Sequence, residues 1–245
     1  MSKTVILIPS RLSATRLPEK PLLKINGLSI ISHVVKKAKE ADIGDVFVAT
    51  EDKEIVDDVS LNGGKAILTS NKHKTGSDRI FECFEKLDLK EIDYIINLQG
   101  DEPNVDTNDL KHLNKLIKIN KPEIGTLASK LNDKSKLDDE NIVKVITETK
   151  ITSENFPIAL DFKRKVSDLS RNIFHHIGIY AFKPNILRKI IKLEQTNNEI
   201  KNRLEQLRAI ENGIKINVAL AKFSPIGIDT MEDYLALKKN LEYNS

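Results

Sequence analysis

The sequence predicts an α/β protein built on a mostly parallel sheet, and three observations carry that reading. Short continuous apolar runs such as Val5-Ile6-Leu7-Ile8 read as strands buried on both faces, the mark of parallel pairing. Between these runs, apolar residues recur at helical spacing. The chain has 245 residues, 40% apolar and 31% charged, enough to bury a core in one or two domains without disulfide staples.

Taken in order, Val5 to Ile8 is the first strand, followed by a polar loop from Pro9 to about Leu28. Ser29 opens a helix whose stripe is Ile30, Ile31, Val34, Val35 and Ala38. Val46 to Ala49 is the second strand. Residues 52–62 form a helix stopped by Asn62-Gly63. Ala66 to Leu68 is a third strand, and residues 78–87 a helix with Ile80, Cys83, Phe84 and Leu87 inward. Tyr94 to Leu98 is again a strand, and Asn108 to Ile119 a helix. Strands alternating with helices in this way imply βαβ units with right-handed crossovers, a doubly wound, Rossmann-like layer. Past about residue 120 the alternation stops. Residues 124–131, 142–149, 157–163 and 174–182 read as strands of a smaller, more antiparallel layer. Residues 199–212 read as one helix with Ile200, Leu204 and Leu207 inward, Lys215 to Ala221 as a strand, and Met231 as the start of a last helix.

Composition removes several function classes. Lys and Arg number 39 and Asp and Glu 36, a net charge of +3. Acids and bases alternate along the chain, so no nucleic-acid footprint is expected. Trp is absent and aromatics are 5%, which argues against a stacking platform for single strands. The single cysteine, Cys83, excludes an intrachain disulfide and a multi-cysteine metal site and fits a reducing compartment. Val5 to Ile8 is too short for a signal-peptide core or a membrane span. The expectation is a soluble cytoplasmic protein with no membrane partner.

Four segments carry candidate chemistry. The loop Pro9-Ser10-Arg11-Leu12-Ser13-Ala14-Thr15-Arg16-Leu17-Pro18-Glu19-Lys20-Pro21 places three cations after a buried strand, where a doubly wound sheet binds its ligand. Arg forks and a Lys ammonium suit a polyphosphate, although the loop lacks P-loop or GxGxxG glycine spacing. A solvated basic loop is the plain alternative. In Asn97-Leu98-Gln99-Gly100-Asp101-Glu102-Pro103, Asp101 stands at a strand end, where a carboxylate can hold Mg²⁺ against substrate phosphates; a turn acid is the alternative. In Gly227-Ile228-Asp229-Thr230-Met231-Glu232-Asp233, Thr230 and Asp233 match a capping box, leaving Asp229 as a second metal ligand or a plain loop acid. In His175-His176-Ile177-Gly178-Ile179-Tyr180, strand alternation puts His176, Gly178 and Tyr180 on one polar face that suits a ligand wall, a satisfied structural histidine being the alternative. Residues 73–79 can meet a nucleobase or cap a helix, Glu205-Gln206-Leu207-Arg208 reads as a solvated helix face, and Cys83 as a packing residue.

Together these segments resemble the 3-deoxy-manno-octulosonate (KDO) cytidylyltransferases from about Thr4 to Leu237. Pro9 to Pro21 follows the family's opening pattern, Asn97 to Pro103 its Gln-Gly-Asp-Glu-Pro block, and His176 to Tyr180, Leu204 to Arg208 and Gly227 to Thr230 its later blocks, in order. The resemblance implies a nucleotide-diphospho-sugar transferase fold in a single domain. In it, about 1–120 plus 215–245 form the nucleotide layer, and about 121–214 the sugar-binding and dimerisation layer. It implies transfer of CMP from CTP to KDO for lipopolysaccharide biosynthesis, with Mg²⁺ as cofactor and a homodimer as the assembly. Activation of another acidic sugar, such as 8-amino-KDO or a nonulosonic acid, and a non-catalytic nucleotide-binding relative stay open as alternatives.

The resemblance further assigns Arg11, Arg16, Lys20, Asp101 and Asp229 to catalysis, with Asp101 and Asp229 as metal ligands. CTP is expected at Ser10, Arg11, Ser13, Arg16, Lys20, Thr75, Gly76, Ser77, Arg79 and Gln99. The sugar is expected at Gln99, Arg164, His176, Tyr180, Glu205 and Gln206. Ser10 stands where the family has Ala, and Glu19 where Gly is common. Ala159 to Arg164 departs from the family's Ala-Leu-Tyr-Phe-Ser-Arg at Asp161 and Lys163, so Lys163 could share the role of Arg164.

Overall fold

The computed structural model describes residues 3–13, 17–131, 133, 137–166 and 172–243. The chain forms two units, Met1–Asn108 with Pro225–Ser245, and Asp109–Ser224.

In the first unit, strands β1 (Lys3–Ser10), β4 (Asp45–Thr50), β5 (Ala66–Leu68) and β6 (Ile92–Asn97) lie in the order β6-β1-β4-β5, every pair parallel. Val5, Ile6, Leu7 and Ile8 are fully buried, and each side chain contributes about 1.5–3 kcal/mol by leaving water. Helices α1 (Ile30–Glu40), α2 (Lys53–Leu61) and α3 (Gly76–Leu87) alternate with these strands. Ser29 caps α1 by accepting from the Ser32 amide at 3.2 Å. α3 starts with a full capping box between Thr75 and Asp78. Cys83 is completely buried, and burial pushes its thiol up to about 12. The stretch expected as one polar loop also contains a 3-10 turn, Lys20–Leu22, and a hairpin of β2 (Lys24–Ile25) and β3 (Leu28–Ser29). The last helix of the unit, α8 (Met231–Tyr243), begins at the Thr230–Asp233 capping box. Tyr234 and Leu237 of α8 pack with Ile228 on Leu17, Ile25 and Ile30.

The second unit opens with α4 (Thr107–Asn120). Its strands are β7 (Ile124–Lys130), β8 (Lys144–Thr147), β9 (Ala159–Lys163), β10 (Asn172–Phe182) and β11 (Ile216–Leu220). β11 pairs parallel with β7, while β7-β10-β8-β9 is antiparallel throughout. A helix absent from the expectation, α5 (Pro184–Ile190), comes after β10. The single helix expected over 199–212 is corrected to two, α6 (Asn197–Asn202) and α7 (Gln206–Glu211). A capping box between Thr196 and Glu199 starts α6 early, and Arg203 in the left-handed region (φ 53°) ends it. Ile200, expected inward, is accordingly exposed, whereas Leu204 and Leu207 are buried. No helix among the described residues is long and apolar enough to cross a membrane.

Candidate active site

The carboxyl ends of β1 and β6 open onto a cavity of about 370 Å³ within the first unit, the size of a small-ligand site. Its walls include Ser10, Arg11, Ser13 and Lys20 from the first loop, Thr75, Gly76 and Arg79 at the start of α3, and Gln99, Asp101 and Asp229. Gly100 allows the close approach, because a Cβ there would meet the Pro9 carbonyl at 2.7 Å. Arg16 lies outside the described residues. Ser77 is buried on α3, outside the cavity lining.

Lys20 is the centre of the charge arrangement. Its ammonium donates to Asp101 Oδ2 at 2.7 Å, to the Ile228 carbonyl at 2.6 Å and to Asp229 Oδ1 at 3.4 Å. Two carboxylates from segments far apart in sequence therefore converge on one cation. The Ile228 amide completes the junction by donating to the Asp101 carbonyl at 3.1 Å. Asp233 is held by its own helix cap: although burial works against it, hydrogen bonds from Thr230 and the 229 and 230 amides keep its carboxyl below the usual range. Neighbouring Glu102 is different. Burial, and then the charge of Asp101, push it up to about 8, and its Oε2 is sealed without a partner among the described residues.

The rest of the wall is braced from behind. The Leu12 amide donates to Asp52 Oδ2 at 2.7 Å, tying the basic loop to the start of α2. Arg79 is buried, ion-paired with Glu51 and hydrogen-bonded to Thr69 Oγ1 at 2.9 Å, so much of its guanidinium fixes the wall. His73 and Lys74, part of the run 73–79 read as meeting a nucleobase or capping a helix but not among the named CTP residues, also line the cavity. His73 contacts Glu82 on α3. Burial raises the Glu82 carboxyl, but Lys86, the Ser70 amide and His73 together bring it down to about 2. The signal for His73 is its place in the polar run leading into α3. Ser10, which stands where the family has Ala, has a buried hydroxyl with no partner among the described residues.

Of the residues expected at the sugar, Gln99 lies on the cavity wall of the first unit, and the other five belong to the second unit. His176 is buried on β10 with its ring 4.9 Å from Phe162 and 5.4 Å from Tyr180. Strand pairing shifts register between Ile177 and Tyr180, and Thr126 Oγ1 donates to the freed Ile179 carbonyl at 2.8 Å. That hydroxyl proton being committed, Oγ1 accepts from His176 Nε2 at 3.1 Å. Burial, and then His175, lower His176 to about 3, so the ring is neutral and its Nδ1 is an acceptor. Burial, and then Glu205, push the Tyr180 phenol well up, so it remains a donor. Glu205 and Gln206 are half-buried at the α6–α7 junction. The solvated face expected around Arg208 is corrected: Arg208 is buried against Glu199, with Nε to Oε2 at 2.8 Å, because the break at Arg203 turns α7 inward. Lys163 is exposed and paired with Asp161 at 3.2 Å, while Arg164 is half-buried with its guanidinium on main-chain carbonyls.

Residues 5–216 match the family model described as cytidylyltransferase. A protein named 3-deoxy-manno-octulosonate cytidylyltransferase from Thermodesulfovibrio yellowstonii is 41% identical, covering 97% of this chain and 98% of that protein. The chain belongs to this cytidylyltransferase family. A similarly named protein from Afipia carboxidovorans is 39% identical over 97% of the chain and 96% of its own length. Among solved structures, a CMP:2-keto-3-deoxy-manno-octonic acid synthetase complexed with CTP superposes with a TM-score of 0.91 at 32% identity, covering both chains fully. A nucleotidyl transferase from Methanothermobacter thermautotroptrophicus, at 16% identity and a TM-score of 0.65, shares the fold. The α/β architecture expected from the strand pattern and the nucleotidyltransferase fold implied by the resemblance are the ones found.

Proposed function

We propose that this chain is the enzyme that transfers CMP from CTP to KDO, releasing pyrophosphate and supplying CMP-KDO for lipopolysaccharide biosynthesis. The observation that carries this reading is the convergence of Lys20, Asp101 and Asp229 in the cavity, in a chain whose relatives bear that activity in their names.

The KDO anomeric hydroxyl attacks the α-phosphorus in line, and pyrophosphate leaves. Such transfers ask the protein for positioning and charge neutralisation, not for a nucleophile. Arg11 and Lys20 on the cavity wall, with Arg16, hold the departing phosphates. The donor set fits Mg²⁺: two hard carboxylates already gathered round a cation, the remaining positions being left to phosphates and water. Asp101 and Asp229 would hold it. When bound, it supplies charge neutralisation at the α-phosphate and eases loss of the hydroxyl proton. His176 as acceptor and Tyr180 as donor present complementary partners to sugar hydroxyls, and the resemblance assigns Glu205, Gln206 and Gln99 to the sugar as well. The family resemblance also supports a cytoplasmic homodimer, with the sugar layer as its dimerisation side in a single catalytic domain.

The test is pyrophosphate release from CTP in the presence of KDO, 8-amino-KDO and a nonulosonic acid, with and without Mg²⁺. Metal-dependent release with KDO is the expected result. CTP binding without release for any sugar would overturn it.

A further inference from the structure

Arg164 engages the second unit in a way a simple ligand contact would not require. An arginine has five N–H donors in a rigid fork. Here Nε donates to the Asn202 carbonyl at 2.7 Å, Nη1 to the Glu140 carbonyl at 2.7 Å and Nη2 to the Arg203 carbonyl at 3.2 Å. Asn202 is the last residue of α6 and Arg203 its left-handed cap. Their carbonyls are among those a helix end leaves without intrahelical donors. A left-handed non-glycine residue costs about 1–2 kcal/mol, so this bend persists only where its surroundings hold it. The other end of Arg164 is also fixed. Lys144, wholly buried, donates to the Arg164 carbonyl at 2.7 Å and to the Asp139 carbonyl at 2.6 Å.

The bend matters for the two side chains it delivers. Glu205 and Gln206 come directly after the Arg203-Leu204 turn, and Glu205 lies near enough to Tyr180 to shift its phenol. We propose that Arg164 is a positioning residue, whose guanidinium sets the α6–α7 bend and thereby the places of Glu205 and Gln206. The functional weight of this bend rests on the assignment of those two residues to the sugar.

The experiment compares Arg164→Lys and Arg164→Gln in the full chain by hydrogen exchange without substrates and by steady-state kinetics. Peptides covering residues 202–207 exchange faster in both variants. The KM for KDO rises roughly tenfold or more, the KM for CTP is unchanged, and lysine performs no better than glutamine because a compact ammonium lacks the extended planar fork that reaches these three carbonyls. Wild-type exchange in Arg164→Lys, or restoration of the sugar KM by lysine, would overturn the proposal. If Arg164→Gln fails to fold, the lysine variant decides. Faster exchange with an unchanged sugar KM keeps the clamp and instead removes Glu205 and Gln206 from the sugar site.

Discussion

In the first unit Lys20, Asp101 and Asp229 meet with side chains 13, 34 and 52% exposed, whereas in the second Arg208 and Glu199 pair at 6 and 4%. The first cluster stands on the cavity wall, where water screens it and ions can exchange. The second is sealed, so its charges must satisfy each other permanently. The same contrast separates Lys20, bridging two carboxylates at the cavity wall, from Lys144, bridging two main-chain carbonyls in a core. Removing a charge from the first cluster should therefore cost chemistry, and removing one from the second should cost folding.

The largest expected effect breaks the first side. Asp101→Asn should lower turnover by about a thousandfold, roughly 4 kcal/mol, while circular dichroism and the melting temperature stay near wild type. A near-normal rate would remove Asp101 from the chemistry. On the second side, Arg208→Leu strands the Glu199 carboxylate and should cost about 3–5 kcal/mol in denaturant unfolding. A cost as small as that of an exposed pair would erase the contrast.

Acid sharpens the comparison further. His176 is held at about 3, below its ordinary 6.5, so between those values the unfolded chain binds a proton that the folded chain refuses. Stability is therefore lost as pH falls from about 6.5 towards 3, by up to about 1.4 kcal/mol per pH unit, and is unaffected above that window. His176→Gln should flatten this slope in unfolding curves recorded across the window. Parallel curves for the two proteins would contradict the buried neutral ring.

The smallest effect concerns Glu19, which adopts a left-handed conformation (φ 54°) one residue before Lys20. That is a conformation glycine adopts without a Cβ penalty. Glu19→Gly should stabilise the protein by about 1 kcal/mol; a loss of stability would mean the glutamate side chain is itself a support.

Much of this is legible in the sequence because buried parallel strands announce themselves in short apolar runs: Ala66 to Leu68 is found as β5 with the expected bounds, and Ser29 caps the expected helix. The meeting of Lys20 with Asp101 is also foreseeable, since strand ends in such sheets converge. The β2–β3 hairpin escapes the apolar pattern, although Asn26-Gly27, both with positive φ, is the dipeptide that tight hairpin turns favour. The α6–α7 break is not legible, because Arg203 carries no turn signal and the donor to its carbonyl, the Arg164 guanidinium, is far away in sequence. The Glu199–Arg208 pair is hidden for the same reason: only the break brings its two helices face to face.

Lys20 and Asp229 are separated by 209 residues, whereas Lys20 and Asp101 are separated by 81. In synthesis the lysine and its first carboxylate therefore both precede the second unit. The second carboxylate, carried by the segment that Tyr234 fastens to the Lys24 carbonyl at 2.6 Å, is made only after the second unit. The cavity thus has a built-in chronology: Lys20 and Asp101 precede the second unit in synthesis, and Asp229 joins them only after it.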